Sequence, residues 1–281
     1  MDAPPDKEDC STFIQVAKIF REMKINVPKL IKTSSEEGFI LMTDFGSEQY
    51  LDILNSNVSE INTQYKDAIN TLHNIQKKGK AYQEMFLPYS ESLIRKEMSL
   101  FIDWFIEQHH GYRLSKSETE NWLDCLNILT QNAISQPQVL VHRDYHSRNL
   151  MFLDSNNPGI LDFQDAVIGP ITYDLVSLLR DCYISLNLDV VADFSLYFYK
   201  NLDEEDKAGI SHHQFTKFFD LMGIQRHLKA VGIFTRLNYR DGKSIYLNDI
   251  PRTLEYILTV AENYPEIIFL VKLIKKVKCR G

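Results

Sequence analysis

Two short stretches decide the fold of this 281-residue chain: HRDYHSRN at residues 142–149 and ILDFQD at residues 160–165. Apolar, β-prone residues enter the first stretch and continue after it over residues 150–153. Between the two stretches lies NNPG at residues 156–159, a strong turn signal. The pattern predicts a polar loop, a hairpin, and then a short strand that ends at Asp162.

The polar residues of these stretches suit the chemistry of phosphoryl transfer. Such a transfer needs a carboxylate beside the acceptor hydroxyl and oxygen ligands that hold Mg²⁺ against the nucleotide phosphates. We therefore predict Asp144 as the catalytic base and Asn149 and Asp162 as Mg²⁺ ligands, with ATP as the phosphoryl donor. A single His-x-Asp is common by chance, and Asp or Asn often satisfies turn backbone. Both motifs at this spacing are much less often accidental.

The segment after Asp162 favours a small-molecule acceptor over a protein. Protein kinases place a long peptide-docking segment here, whereas this chain passes through residues 169–170 directly into a helix pattern. Asp174, near the start of that helix, is predicted to brace the catalytic loop. His142 and His146 are predicted to orient the loop by hydrogen bonds, and neither is the expected base.

Together these motifs resemble the aminoglycoside phosphotransferase superfamily, and within it the branch of bacterial anomeric sugar kinases. The resemblance implies ATP-dependent phosphorylation of N-acetylmuramate and N-acetylglucosamine in cell-wall recycling. Arg143 and Gln164 stand where the wider superfamily or protein kinases have glycine, and both fit the sugar-kinase branch. The stretches that carry the resemblance are residues 141–149, 158–166, 169–181, 2–10, 101–105, 222–229 and 236–243.

We predict an α+β, protein-kinase-like two-lobed fold with a truncated N-terminal β lobe and a large, mainly helical C-terminal lobe. Residues 1–46 form the partial N-terminal lobe and hinge, and residues 47–281 form the helical lobe with the catalytic and metal-binding loops. A first helix is predicted from Ser11 to about Met23. Strands are predicted at residues 30–31, 39–42, 139–141, 150–153 and 160–161, and further helices at residues 61–76, 90–108, 117–134, 173–181, 190–199, 213–237, 251–263 and 266–277.

The stretch MTDFG at residues 42–46 lies where the two lobes join. By resemblance, the backbone of Met42 and Asp44 would bind the adenine edge of the nucleotide, and Gly46 would let the chain turn. An ordinary connection between a strand and a helix explains the stretch equally well. Lys7 is the only nearby cation that would approach a phosphate.

A complete kinase-like N-terminal lobe has early strands with a phosphate-covering turn and usually a Lys on its third strand. Here the first glycine is Gly38, so we expect the phosphate-covering hairpin to be missing. Two explanations stay open: a start codon assigned too late, with roughly fifty further residues in the native protein, or a natural truncation that weakens nucleotide binding. We favour the first, because a truncated lobe would expose a sheet edge.

The predicted acceptor-binding residues are Trp104, Tyr89 and Arg180. Aromatic faces pack on pyranose rings, and an Arg can clamp a carboxylate such as a lactyl group. A place in the core is the safer interpretation for the aromatic residues. Arg180 and Asp181 can also pair with each other or with the catalytic loop.

The composition of the chain is consistent with a globular enzyme that acts on small molecules. A chain with 44% hydrophobic residues can bury a substantial core, and a net charge of −7 argues against nucleic acid as the main ligand. The four cysteines lack metal-ligand spacing, and no segment looks like an export signal or a membrane span. We expect a cytoplasmic enzyme whose partners are a sugar and a nucleotide; the sequence does not indicate its oligomeric state.

Two further hypotheses stay open. One keeps the same site with an aminoglycoside, choline or homoserine-like acceptor. The other is a catalytically silent nucleotide- or sugar-binding protein that has lost the phosphate-covering hairpin.

Overall fold

The computed structural model describes residues 1–2, 10–56 and 61–279. Helix α1 (Cys10–Glu22) is followed by strands β1 (Leu30–Ser34) and β2 (Phe39–Met42), which pair antiparallel. The turn between the strands contains Gly38 with φ at +72°, a backbone region that glycine enters without steric cost. These elements correspond to the predicted helix and strands of the N-terminal part.

Helix α1 packs its apolar face into the same core as the helical part of the chain. Val16, Ala17 and Phe20 are buried, and the Phe20 ring lies 5.7 Å from the ring of Phe163. Phe13 stacks on the same ring at 4.9 Å. Since Phe163 directly follows Asp162, this packing fixes the strand end that carries the predicted metal ligand.

Two short antiparallel strand pairs carry the polar loops. Strand β3 (Gln138–Val141) pairs with β6 (Val167–Pro170), and β4 (Leu150–Met151) pairs with β5 (Gly159–Ile160). The backbone N–H of Leu161 donates to the carbonyl of Asn149 at 2.9 Å, so the two loops lie side by side. Strand β6 was not predicted, because its Gly-Pro ending is typical of a turn.

The remainder is mainly helical, as predicted. Its α-helices are α2 (Tyr50–Ser56), α3 (Ile61–Gly79), α4 (Glu91–Leu100), α5 (Lys116–Ile134), α6 (Tyr173–Leu179), α7 (Leu188–Asn201), α8 (Glu204–Lys207), α9 (His212–Asp241), α10 (Ile250–Ala261) and α11 (Ile268–Lys278). Short 3₁₀ segments lie at Lys80–Met85, Ser244–Asp249 and Pro265–Ile267. The division at residue 46 stays a prediction.

The predicted helix over residues 90–108 is two segments in the structure. Ser90 caps α4 by accepting a hydrogen bond from the Leu93 N–H at 3.3 Å, and the chain then continues as a π-helix over Phe101–His109. Helix α9 crosses this junction so closely that a Cβ on Gly232 would lie 2.5 Å from the backbone carbon of Leu100. The crossing brings one face of α9 towards α4 and leaves a groove beside the catalytic loop.

Candidate active site

Two buried carboxylates hold the backbone of the catalytic loop. Asp174 accepts hydrogen bonds from the backbone N–H groups of His142 at 2.6 Å and Arg143 at 2.9 Å. Arg143 has φ at +77°, a strained conformation for a non-glycine residue that persists where surrounding contacts fix it. Asp181 accepts from both the backbone N–H and the hydroxyl of Ser147, at 2.9 and 2.6 Å. The contacts of Asp174 are those expected of a residue that braces the loop.

The Asp144 carboxylate faces open space at the end of this braced loop. Within the described part of the chain, no donor is hydrogen-bonded to its side-chain oxygens, whereas its backbone carbonyl accepts from the Asn149 amide at 3.0 Å. Burial alone would raise the pKa of the Asp144 carboxyl, but the cations of Lys229 and Arg226 outweigh it, and the net pKa is lowered. An ionised, unpaired carboxylate can accept the proton of a hydroxyl placed beside it.

Asn149 and Asp162 lie next to each other, with the Asn149 Nδ2 3.3 Å from the Asp162 Oδ2. Asp162 is exposed, has φ at +62°, and receives a hydrogen bond from the Gln164 amide at 2.8 Å on its other oxygen. One carboxylate and one amide oxygen, completed by phosphate oxygens and water, form a donor set that suits Mg²⁺.

Both histidines of the loop contact neighbouring parts of the chain. His142 is fully buried; burial lowers its pKa to about 4, and its Nε2 lies 3.0 Å from the carbonyl of Leu161. Burial also lowers the pKa of His146, whose ring meets that of Tyr183 edge to face at 5.3 Å. His142 therefore connects the catalytic loop to the strand end that precedes Asp162.

Two grooves meet at this point. The first, of about 570 Å³, reaches Asp144 between the catalytic loop, α4 and α9, and we call it the acceptor groove after its predicted role. The second, of about 450 Å³, lies on the other side and is lined mainly by apolar residues that include Phe13, Met42 and Phe163; we call it the nucleotide groove, also after its predicted role. Asn149 and Asp162 line both grooves, together with Arg148. The shared residues mark the place where a phosphoryl group would pass from one groove to the other.

The comparison with known families decides the class of this site. The model of the phosphotransferase enzyme family matches residues 1–204. The chain belongs to this family. The predicted superfamily is therefore confirmed, and with it the prediction of a phosphotransferase that acts on an alcohol group.

Curated relatives agree over nearly the whole chain. An N-acetylmuramate/N-acetylglucosamine kinase of Pseudomonas aeruginosa is 39% identical over 98% of this chain and 80% of its own length. A kinase of the same name from Neisseria meningitidis is 38% identical over 98% of this chain and 81% of its own length.

Solved structures show the fold. The gentamicin complex of the aminoglycoside phosphotransferase APH(2″)-IIa matches with a TM-score of 0.60 at 14% identity, over 89% of this chain and 85% of the other. An ethanolamine kinase of Plasmodium vivax matches with a TM-score of 0.57 at 13% identity, over 88% of this chain and 72% of the other. These likenesses confirm the predicted protein-kinase-like fold of the phosphotransferase family.

The predicted hinge residues have separate places. Met42 lines the nucleotide groove. The Asp44 carboxylate accepts a hydrogen bond from the Gly46 N–H at 2.8 Å, and Gly46 has φ at +81°. Asp44 thus stabilises the turn that leads into the helical part, as an ordinary connection would require. Lys7 lies outside the described residues.

The structure does not bring Trp104, Tyr89 or Arg180 to the acceptor groove. The Tyr89 hydroxyl is buried and donates to the Glu97 carboxylate, and Trp104 lies half-buried in the π-helix. Arg180 donates to Asp220 at 2.5 Å. Its guanidinium is paired with a partly buried carboxylate in α9, so its assignment as a carboxylate clamp gains no support from the structure.

The residues that do form the acceptor wall come from α9 and α4. Lys229 lies beside Asp144 in the acceptor groove, 3.1 Å from the Glu97 carboxylate and 3.2 Å from the Tyr173 hydroxyl. Arg143 donates to the same Glu97 carboxylate at 2.5 Å, so the catalytic loop and the wall share one anion. The sequence signal that could have indicated this wall is the pair of cations Arg226 and Lys229, three residues apart in a largely buried helix. Residues 222–229 entered the prediction only through the family resemblance.

None of the helices in the described ranges combines the length and the apolar character needed to cross a lipid bilayer.

Proposed function

We propose that this chain transfers the γ-phosphoryl group of ATP to the anomeric hydroxyl of N-acetylglucosamine or N-acetylmuramate. The observation that carries the proposal is the position of the unpaired Asp144 carboxylate, at the inner end of a groove large enough for a sugar and next to Asn149 and Asp162. The acceptor is supported by the names of the curated relatives.

Asp144 acts on the acceptor hydroxyl in this proposal. Its lowered pKa keeps the carboxylate ionised, so it can orient the hydroxyl and accept its proton as the oxygen attacks phosphorus. The apolar residues of the nucleotide groove, such as Phe13 and Met42, pack against the adenine ring. Asp174 and Asp181 hold the loop backbone in place, so that the base does not need to reorganise during the reaction.

Mg²⁺ fits the oxygen donors of Asn149 and Asp162. When bound, Mg²⁺ neutralises charge on the nucleotide phosphates. The contribution of the chain is to keep the two side chains adjacent, with Gln164 holding one oxygen of Asp162.

The charges of the acceptor groove are nearly balanced. Its lining carries five cations, Lys96, Arg143, Arg148, Lys229 and Arg236, and four carboxylates, Glu97, Asp144, Asp162 and Asp165. The charge of the groove therefore does not separate the sugars from an aminoglycoside or choline, and the choice of acceptor rests on the names of the curated relatives.

An ADP-release assay with a panel of acceptors tests the proposal. We expect release with N-acetylglucosamine and N-acetylmuramate, and a product whose phosphate is acid-labile and whose reducing end is lost, because both properties mark an anomeric phosphate. Release only with an aminoglycoside, choline or homoserine, or a phosphate on another hydroxyl, would contradict it.

The catalytically silent alternative makes a different prediction. Full-length protein that binds ATP and Mg²⁺ should melt at a higher temperature in their presence, since a ligand of the native state stabilises it. A melting shift without ADP release from any acceptor would favour a silent binding protein.

A further inference from the structure

A small chamber opens beside the catalytic base. It encloses about 120 Å³ and shares Asp144, Lys229 and Ile233 with the acceptor groove. A cavity of this size holds a group of a few heavy atoms and is too small for a whole sugar. We call it the inner chamber.

One face of helix α9 forms much of the chamber wall. Arg226, Ala230, Ile233 and Phe234 all line the chamber, and their spacing places them on the same side of the helix. The wall therefore combines one guanidinium with an apolar surface. This combination suits a small group that has a polar end and a methyl end.

Arg226 is buried there without a partner. Only 7% of the residue is exposed, and no described residue accepts a hydrogen bond from its guanidinium. Its Nε has no contact with solvent, so the two terminal nitrogens are the donors that a group in the chamber could reach. Buried donors in native proteins are nearly always paired, so an acceptor atom of a ligand is the expected complement. His146 also lines the chamber.

The surrounding charges favour a neutral ligand group. The carboxylates of Asp144 and Asp181 line the chamber and balance the Arg226 cation, while the Lys229 ammonium is already paired with Glu97. A further carboxylate would meet two negative charges in a confined space. A carbonyl oxygen can accept from Arg226 without that repulsion.

The position of Asp144 limits which groups of the sugar can enter. If the anomeric hydroxyl lies at Asp144, which lines both the groove and the chamber, the substituent on the neighbouring ring carbon can reach the chamber. In N-acetylglucosamine and N-acetylmuramate alike, that substituent is an acetamido group, which has a carbonyl oxygen, an N–H and a methyl group.

We infer that the inner chamber is the subsite for this acetamido group, with Arg226 donating to its carbonyl oxygen and the apolar α9 residues enclosing its methyl group. The inference rests on the proposed function and names the residues that would make the enzyme select N-acetylated sugars.

The test compares kcat/KM for N-acetylglucosamine with kcat/KM for glucose, which carries a hydroxyl in place of the acetamido group. We expect the wild-type ratio to exceed 10, and Ala230→Leu, which fills the chamber, to lower it by about 10-fold or more. Arg226→Met removes one charge-assisted hydrogen bond and should lower the ratio by about 10- to 100-fold. Arg226→Lys keeps the charge and should fall between Arg226→Met and wild type.

Arg240→Met is the matched control, because Arg240 lies at the exposed end of the same helix, paired with Asp241; its ratio should equal that of the wild type. Equal losses for both sugars in Ala230→Leu and Arg226→Met would overturn the inference while leaving the proposed function intact. A wild-type protein that phosphorylates neither sugar would overturn both. If Arg226→Met does not fold, Ala230→Leu decides alone.

Discussion

The catalytic loop and the α9 wall of the acceptor groove are built in opposite ways. The loop is held through its backbone, whose N–H groups donate to the buried carboxylates of Asp174 and Asp181. The wall uses side chains on one face of a long helix, and Lys229 and Arg226 project from it towards Asp144. We infer from this difference that the loop carries out the chemistry and the wall determines the choice of acceptor. Changes in the loop should therefore lower activity with all acceptors alike, whereas changes in the wall should alter which acceptor is preferred.

Asp162→Asn should have the largest effect and should not distinguish acceptors. Loss of the carboxylate weakens the proposed metal site, and we expect kcat to fall on the order of 10³-fold for every accepted sugar. The Mg²⁺ concentration needed for half-maximal activity should rise, while KM for the sugar stays near its wild-type value. Asp154→Asn, at an exposed position between β4 and β5, is the control and should retain full activity. An Asp162→Asn enzyme with normal Mg²⁺ dependence would remove Asp162 from the metal site.

Asp174→Ala should weaken the structure of the loop. The change leaves two buried backbone N–H groups without an acceptor, which should lower the free energy of unfolding by about 3 kcal/mol. Urea unfolding measures this loss, and the exposed Asp193 provides the comparison through Asp193→Ala, which should stay within about 0.5 kcal/mol of wild type. Equal stability of the two variants would mean that Asp174 does not brace the loop.

Lys229→Met tests the contact between wall and loop. Lys229 is the strongest of the influences that lower the pKa of Asp144 against burial, so its removal should raise that pKa and move the acid limb of the kcat/KM profile to higher pH. We expect kcat/KM at neutral pH to fall on the order of 10²-fold, the usual cost of losing one positioned charge-stabilising donor. An acid limb that does not move would show that Lys229 does not influence the pKa of Asp144.

The smallest effect concerns pH and stability. Burial lowers the pKa of His142 to about 4, from an ordinary value of 6.5, so the folded state binds fewer protons than the unfolded chain between these values. Stability is therefore lost as pH falls through this window, with His142 contributing about 1 kcal/mol between pH 7 and pH 5.5. His73 and His227 act in the same direction, and Asp174, whose pKa burial raises to about 7, acts in the opposite one.

Thermal melting of wild type and His142→Gln at pH 7 and pH 5.5 measures how much His142 contributes to the pH dependence of stability. The variant should lose less stability on acidification than the wild type, by about 1 kcal/mol. An unchanged pH dependence would show that His142 titrates normally.

The sequence was informative for the loop because its contacts are local. Asp144, Asn149 and Asp162 lie within nineteen residues of each other, and a turn signal between them indicated that a hairpin brings them together. The helices of the C-terminal part followed from their apolar periodicity. The wall was not predictable in this way, because Lys229 and Glu97 meet only through the crossing of α9 and α4, which depends on the close packing at Gly232.

Arg180 is a second residue whose contacts could not be predicted from local sequence. The alternative to a carboxylate clamp was that Arg180 and Asp181 pair with each other or with the catalytic loop, but the two neighbours have different partners. Asp181 binds Ser147 in the loop, while Arg180 binds Asp220 in α9. Local sequence places a charged residue on an element, and only the packing of that element decides which partner it meets.

The most direct test of the account is phosphorylation of N-acetylglucosamine by wild type and Asp144→Asn. We predict that the wild type forms the anomeric phosphate and that the variant loses at least about 10²-fold in kcat, since a general base contributes roughly 10² to 10⁴. Its melting temperature should stay close to that of the wild type, because the Asp144 carboxylate has no described hydrogen-bond donor to lose. A folded Asp144→Asn enzyme that forms the sugar phosphate at the wild-type rate would contradict the assignment of Asp144 as the catalytic base.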